Sequence, residues 1–240
     1  MYEKTRGIVL HTIPYNDTLS VVHVYTERYG RVAYTLPRGA GRAAKMARAM
    51  YMPLSLLELE VEVRPGREMQ RIREARTWLP LPYVQSDPVR AALAMFLAEF
   101  LTAALRSHEP QPDLFAYVAR SVSLLDRVGR GLGNFHISFL VGFTSFMGIM
   151  PDAEGYRDGA YFDMQEGVFV ASRPLINESL PPAEASVLPR LLRMDYTNMH
   201  LFRFTRSERA TILDRIITYY RMHLSIGRLS SPAVLHALFD

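Results

Sequence analysis

The alternation of apolar and polar residues changes period once along the chain. Val32, Tyr34 and Leu36 alternate with Arg31, Ala33 and Thr35, and Leu57, Leu59, Val61 and Val63 alternate with Glu58, Glu60 and Glu62. A period of two sends neighbouring side chains to opposite faces, as in half-buried strands. Gly7–Ile13 and Leu19–Thr26 are rich in β-branched residues, and Pro14, Asn16 and Asp17 between them mark a turn. Tyr29-Gly30 makes a second tight turn, and Arg64-Pro65-Gly66-Arg67 leads into a fifth, less regular strand over Met69–Trp78. Five short antiparallel strands within residues 1–80 predict a small Greek-key barrel. Between the third and fourth strands, Gly39–Met52 is rich in Ala and Met and favours helix. A barrel of five strands with a helix after the third is the arrangement of an OB-fold. If that segment is helical, Arg38, Arg42, Lys45 and Arg48, spaced by four, three and three, share one face. The glycines at 39 and 41 weaken its first turn, and a flexible basic loop is the alternative.

Beyond Leu79-Pro80-Leu81-Pro82 the period becomes 3.6. Asp87 reads as an N-cap with Pro88 at the first helical position, and Leu93, Phe96, Leu97, Phe100, Leu101 and Leu105 form an apolar stripe. A second helix opens at Pro112-Asp113 and runs to about Val128, and a third covers Asn134–Met147. Pro151–Pro182 carries turn formers and two β-like runs, Ala160–Met164 and Gly167–Ala171. Thr205 and Glu208 have capping-box spacing ahead of a long helix whose Ile212, Leu213, Ile216, Ile217 and Tyr220 face inward. A short terminal helix follows Ser231-Pro232. The expected fold class is α+β in two domains. An OB-fold barrel occupies residues 1–80, and an all-α domain with a small irregular β-like insert at about 151–182 occupies 81–240. Gly131–Pro151 carries no charge, but its strongly apolar part, Ile137–Met150, is short for a bilayer span and reads as a core helix.

Composition narrows the function. The 240 residues are 49% hydrophobic and 22% charged, which excludes disordered and collagen-like classes. The chain has no Cys, so disulfides, thiolate metal sites and cysteine nucleophiles are excluded. Met1 to Arg6 enters a β-like run without the apolar stretch of a signal peptide, and the expectation is a cytoplasmic protein. Net charge is +4, unevenly placed: residues 1–80 hold 13 Lys and Arg against 8 Asp and Glu. No acidic residue lies between Arg28 and Leu57. Such a field attracts a polyanion, although a basic surface kept for solubility has the same composition. All cations but Lys4 and Lys45 are Arg, whose planar fork pairs with phosphate oxygens and stacks on bases. Tyr2, Tyr15, Tyr25, Tyr29, Tyr34 and Tyr51 in the same module offer stacking faces for a single strand.

Catalytic patterns are absent from the sequence. Gly39-Ala40-Gly41 lacks the Lys-Ser/Thr of a phosphate loop, and the seven histidines show no ligand spacing. His11 and His23 fall on strands and read as packing or surface residues. Asp152, Glu154, Asp158, Asp163 and Glu166 form one carboxylate cluster whose spacing matches no calcium loop and reads as a solvated acidic loop. A magnesium-dependent nuclease built on that loop is the hydrolytic alternative. The expectation is a non-enzyme with no metal or other cofactor.

Several stretches resemble the bacterial RecO family in order and spacing: Thr5–Leu10, Tyr25–Arg31, Arg38–Arg42, Met52–Leu57, Phe146–Pro151 and Tyr161–Phe169. The resemblance implies an N-terminal OB-fold and a helical C-terminal domain. It implies binding of single- and double-stranded DNA, annealing of complementary strands, and help in loading RecA onto strands coated by single-stranded-DNA-binding protein. RecR is the implied partner, and a cytoplasmic, nucleoid-associated location follows. The basic residues after the third strand carry over as DNA contacts: Arg38, Arg42, Lys45 and Arg48, with Arg31 beside them. Many members carry a four-cysteine zinc module after the element matched by Gly148–Pro151; without Cys, the insert Asp152–Ala171 must be held by packing alone. The family's groove for the acidic tail of the single-strand-binding protein uses cations of the helical domain. Here Ile137 and Ser138 stand where cations are expected, with Arg120, Arg127 and Arg130 as substitutes. A protein–protein adaptor with little DNA affinity is the alternative function.

Overall fold

The computed structural model describes residues 2–64, 66–176 and 178–238. Pro65 of the predicted turn and Met1 lie outside the described residues. The N-terminal strands are β1 (Tyr2–Pro14), β2 (Leu19–Thr26), β3 (Gly30–Pro37), β4 (Leu56–Glu62) and β5 (Met69–Leu79), with α1 (Gly41–Met50) between β3 and β4. They close into a barrel in the order β1-β2-β3-β5-β4. β1 pairs with β4 along Tyr2–Ile8 and with β2 along Gly7–Pro14, turning between the two partners at a register shift between Val9 and His11. β3 and β5 run parallel and complete the closure. This is the OB-fold topology, and closure gives each barrel strand a neighbour on both sides.

The alternation works where one face meets the core. Leu57, Leu59 and Val61 are buried with Val9, Val22, Val24 and Tyr34, while Glu58, Glu60 and Glu62 point away. Met50 and Tyr51, at the C-terminal end of α1, pack against that cluster. The helix is thus anchored by its last turn, and its cationic positions are left outside.

The remaining elements are α2 (Pro82–Ser86), α3 (Pro88–Ala104), α4 (Pro112–Arg127), α5 (Phe135–Phe146), β6 (Tyr161–Asp163), β7 (Val168–Val170), β8 (Ser179–Leu180), α6 (Pro182–Ala185), α7 (Leu188–Leu191), α8 (Arg206–Leu224) and α9 (Pro232–Leu238). Asp87 caps α3, accepting from the N–H groups of Val89 and Arg90. Packing groups residues 2–127 and 229–238 into one compact unit and 128–228 into another, whereas strand gives way to helix after Leu79.

In the first unit, α3 lies against β1, and the loop after it lies against the start of β3. Gly30 sits at φ +59, and a Cβ there would come within 2.8 Å of the His108 and Ser107 backbone. Glycine answers both constraints. Glu99 of α3 accepts hydrogen bonds from the N–H groups of Ser230 and Ser231, which fastens the start of α9.

In the second unit, the Tyr220 hydroxyl of α8 donates to the Leu140 carbonyl of α5 at 2.6 Å. The Thr205/Glu208 capping box forms at the start of α8. Strands β7-β6-β8 make a small antiparallel sheet. Phe162 and Phe169 of this sheet meet edge to face at 5.2 Å, and both lie in a cluster with Met164, Leu180 and Tyr219. No helix among the described residues is long and apolar enough to cross a membrane.

Candidate functional site

The basic segment after β3 is helical, starting at Gly41, which takes φ +85. Arg42, Lys45 and Arg48 therefore occupy successive positions about 60° apart on one side of α1. Arg38 precedes the helix and is held differently: its guanidinium donates to the Asn16 carbonyl at 2.9 Å, in the β1–β2 hairpin. The shared helical face expected from the sequence thus includes three of the four cations, and a tertiary hydrogen bond positions the fourth. Arg42, Lys45 and Arg48 are exposed, and among the described residues their side chains make no hydrogen bond or ion pair.

Four other cations of the barrel module are matched by carboxylates. Arg73 pairs with Glu60 at 2.7 Å, Arg76 with Glu74 at 2.6 Å, and Arg28 with Glu3 at 3.6 Å; Arg64 pairs with Glu62. The hydrogen bond from Arg64 holds the Glu62 carboxyl below its ordinary pKa. Arg6 lies over the Trp78 ring at 4.4 Å. The β4–β5 side of the barrel is therefore close to charge balance, and the cations of α1 stand out against it.

Arg31 is committed elsewhere. Its guanidinium donates to the Thr102 carbonyl at 2.7 Å and the Leu105 carbonyl at 3.3 Å, closing the C-terminal end of α3. Burial, and then the nearby Arg106 charge, lower its pKa. Beside it, His11 and His23 stack with centroids 4.4 Å apart. Because the Thr102 hydroxyl donates to the Ala98 carbonyl, it accepts from His11 Nδ1–H at 3.2 Å. Burial first, then the His23 and Arg31 charges, depress the His11 pKa to about 4. His11 thus joins β1 to α3, with the His23 ring stacked on it.

The tyrosines separate in the same way. Tyr25 and Tyr34 are 2% and 1% exposed and belong to the core. Tyr51 packs against the barrel cluster. The Tyr29 hydroxyl donates to Glu3 at 2.5 Å, and Arg73 stands over one face of the half-exposed Tyr2 ring at 4.7 Å.

The second unit holds a feature that sequence reasoning missed. A cleft of 470 Å³ is lined by apolar side chains, among them Val141, Leu188, Ile212 and Ile216, with Arg190 and Arg215 also on its wall. Arg215 is neutralised by a two-point contact with Glu184, at 2.6 and 3.1 Å. Arg190 lies over the rings of Phe204 at 5.3 Å and Phe202 at 5.8 Å. The only sequence signal is an Arg and a Phe-x-Phe pair a dozen positions apart, which no spacing rule links. Arg120 and Arg127 are exposed and two turns apart on α4, and Arg130 is exposed in the other unit.

Two of the carboxylates of 152–166 have local uses. Asp163 is buried and accepts from the N–H groups of Gln165 and Glu166, closing the β6–β7 turn, and Asp152 accepts from Glu154 N–H. Among the described residues no three or more His, Cys, Asp or Glu side chains gather as a metal would require. The residues of the insert do not fit a zinc module; the aromatic cluster around Phe162 and Phe169 occupies its interior.

Comparison with known proteins spans the whole chain. The family model for the recombination protein O N terminal matches residues 1–79, and that for the recombination protein O C terminal matches 85–232. The DNA repair protein RecO of Phocaeicola vulgatus is 42% identical over 241 residues, covering 100% of both chains. The DNA repair proteins RecO of Bacteroides fragilis and Azobacteroides pseudotrichonymphae are 40% and 38% identical, again over 100% of both. With a five-stranded barrel, a helical region after it in the sequence and relatives of this likeness along its full length, the chain belongs to the RecO family of DNA repair proteins.

Proposed function

We propose that this chain is a non-enzymatic mediator of recombinational repair that holds DNA on the cations bordering α1. Arg38, Arg42, Lys45 and Arg48 meet the phosphates, and Arg31 serves as a structural neighbour that positions β3 against α3. The observation that carries the reading is the sorting of charge on the barrel. Arg73 and Arg76 on β5 and Arg64 just after β4 are spent on carboxylates, while the cations of α1 face solvent in a segment without a single acid. A surface of this kind binds single and double strands alike, because the phosphate charge is common to both. Annealing follows from the same physics: two polyanions repel, and one cationic surface that takes up both lets complementary bases meet. Delivery of RecA to strands coated by single-stranded-DNA-binding protein, with RecR as partner, at the bacterial nucleoid in the cytoplasm, completes the proposal. The test is a strand-annealing assay with complementary oligonucleotides, bare and coated. Acceleration over the protein-free reaction is expected, and its absence would sink the reading.

The cleft of the second unit favours an adaptor role alongside this. It joins an apolar floor to Arg190, a cation stacked on two rings. That pairing of features suits the acidic tail of the single-strand-binding protein better than the open face of α4 bearing Arg120 and Arg127, or the exposed Arg130. Arg190→Ala should weaken the binding of a labelled tail peptide while Arg120→Ala and Arg127→Ala leave it intact; the reverse pattern would move the site to α4.

A further inference from the structure

The cations beside α1 explain attraction to a phosphate chain, but they do not explain how unpaired bases would be engaged. The β1–β2 hairpin supplies the missing element. Its tip, Pro14 to Thr18, is built around Asn16, whose side-chain oxygen accepts from the N–H groups of Thr18 at 2.9 Å and Leu19 at 2.8 Å and from the Thr18 hydroxyl at 3.1 Å. This Asx turn fixes the loop locally. Two longer contacts then tie the hairpin to both ends of the basic helix. Arg38, just before α1, bonds the Asn16 carbonyl, and the Thr12 hydroxyl donates at 3.2 Å to the carbonyl of Tyr51, just after it. The Arg38 N–H also donates to the Thr18 carbonyl at 2.7 Å.

On this hydrogen-bonded tip Tyr15 is 59% exposed. Among the described residues its ring has no aromatic or cationic neighbour, unlike Tyr2 beneath Arg73. Of the six tyrosines in the barrel module, two are core and two are partly buried against the barrel; Tyr2 is 51% exposed with one face under Arg73, and Tyr15, 59% exposed, lies on the hairpin that Arg38 ties to the basic segment. An exposed aromatic ring on a braced turn leaves apolar surface in water, and burying it against a planar ligand is favourable. Asp17 is the one carboxylate on the tip; it gives the phosphate chain a reason to run along Arg38 and α1, leaving the base edge of the strand to the tyrosine.

The structure assigns Tyr15 as a platform on which an unpaired base of a bound strand stacks. The ligand class is single-stranded nucleic acid, contacted through the base and not only the phosphate, and the assignment rests on the DNA-binding reading above. The loop between the first two strands is one place where OB-folds bind oligonucleotides. Stacking is tolerant of sequence, because every base has a flat face.

The test separates stacking from charge. Affinity of the full chain is measured for a dT oligonucleotide, for an abasic strand of the same length and for a duplex. The wild-type chain should prefer dT over the abasic strand by roughly tenfold. Tyr15→Ala should abolish that preference and leave duplex affinity and the salt slope unchanged; Tyr15→Phe, which keeps the ring, should restore it. A misfolded Tyr15→Ala chain would lose duplex binding as well, and in that case loss of the preference in Tyr15→Leu, with duplex affinity retained, carries the decision. If Tyr15→Ala or Tyr15→Leu keeps the preference for dT over abasic DNA, the assignment fails while the cationic reading stands. If the wild-type chain binds none of the three, the DNA-binding reading fails with it.

Discussion

Replacing Arg42, Lys45 and Arg48 together by Ala is the cleanest perturbation of the proposed interface. The three side chains are exposed, and among the described residues they carry no hydrogen bond or ion pair, so their removal breaks nothing in the fold. Ala is at least as good a helix former as Arg or Lys, so α1 is retained. Its anchor, Met50 and Tyr51 against the barrel, is untouched. Each phosphate neutralised on a single strand contributes about 0.7 to the slope of log affinity against log salt, so three contribute about 2. Over a fourfold rise in monovalent salt, a slope difference of about 2 means the wild-type affinity falls roughly twentyfold further than the variant's. Fluorescence anisotropy with a labelled oligonucleotide across such a series reads this directly, and circular dichroism confirms the helix content. Parallel lines for the two proteins would refute the reasoning, because no cation on α1 would then displace counterions.

Other expectations follow from the packing. Gly30→Ala should destabilise the first unit by at least 1–2 kcal/mol from the left-handed backbone alone, with more from the approach to residues 107–109, read as a lower denaturant midpoint; an unchanged midpoint would contradict that contact. Phe162→Ala should cost about 3–5 kcal/mol in the second unit, whereas a chelator should leave its melting temperature unchanged, and a chelator-induced drop would mean a metal holds the insert. His11 binds its proton less readily when folded, near pH 4 against 6.5, so its contribution to stability is whole above pH 6.5 and is lost as pH falls toward 4. His11→Gln should flatten that loss, and an NMR titration placing the His11 midpoint at 6.5 would remove its basis.

Much of the barrel is readable in the sequence because its strands divide core from solvent. β4 shows the alternation most clearly, with Leu57, Leu59 and Val61 inside and the glutamates outside. β3 shows it less well, since α3 and its following loop cover Arg31 on the outer face. β5 is irregular because two register shifts against β4 interrupt the period. The capping residues Asp87, Thr205 and Glu208 act within a few positions of themselves, so their roles are local and legible. Arg31 looks like its basic neighbours in sequence, yet its acceptors lie 71 and 74 residues away. The same distance in sequence hides the cleft, whose wall joins α5, the insert and α8. Three short helices, α2, α6 and α7, span five residues or fewer and show too little periodicity to be read.

Photo-crosslinking with an oligonucleotide carrying 4-thiothymine, followed by mass spectrometry of the adducted peptides, asks where the strand lies on the unaltered chain. The cationic-helix account predicts adducts on the β1–β2 hairpin, Tyr15 foremost, and within residues 38–52. Adducts concentrated on the ion-paired β4–β5 face, or confined to residues 128–228, would contradict it.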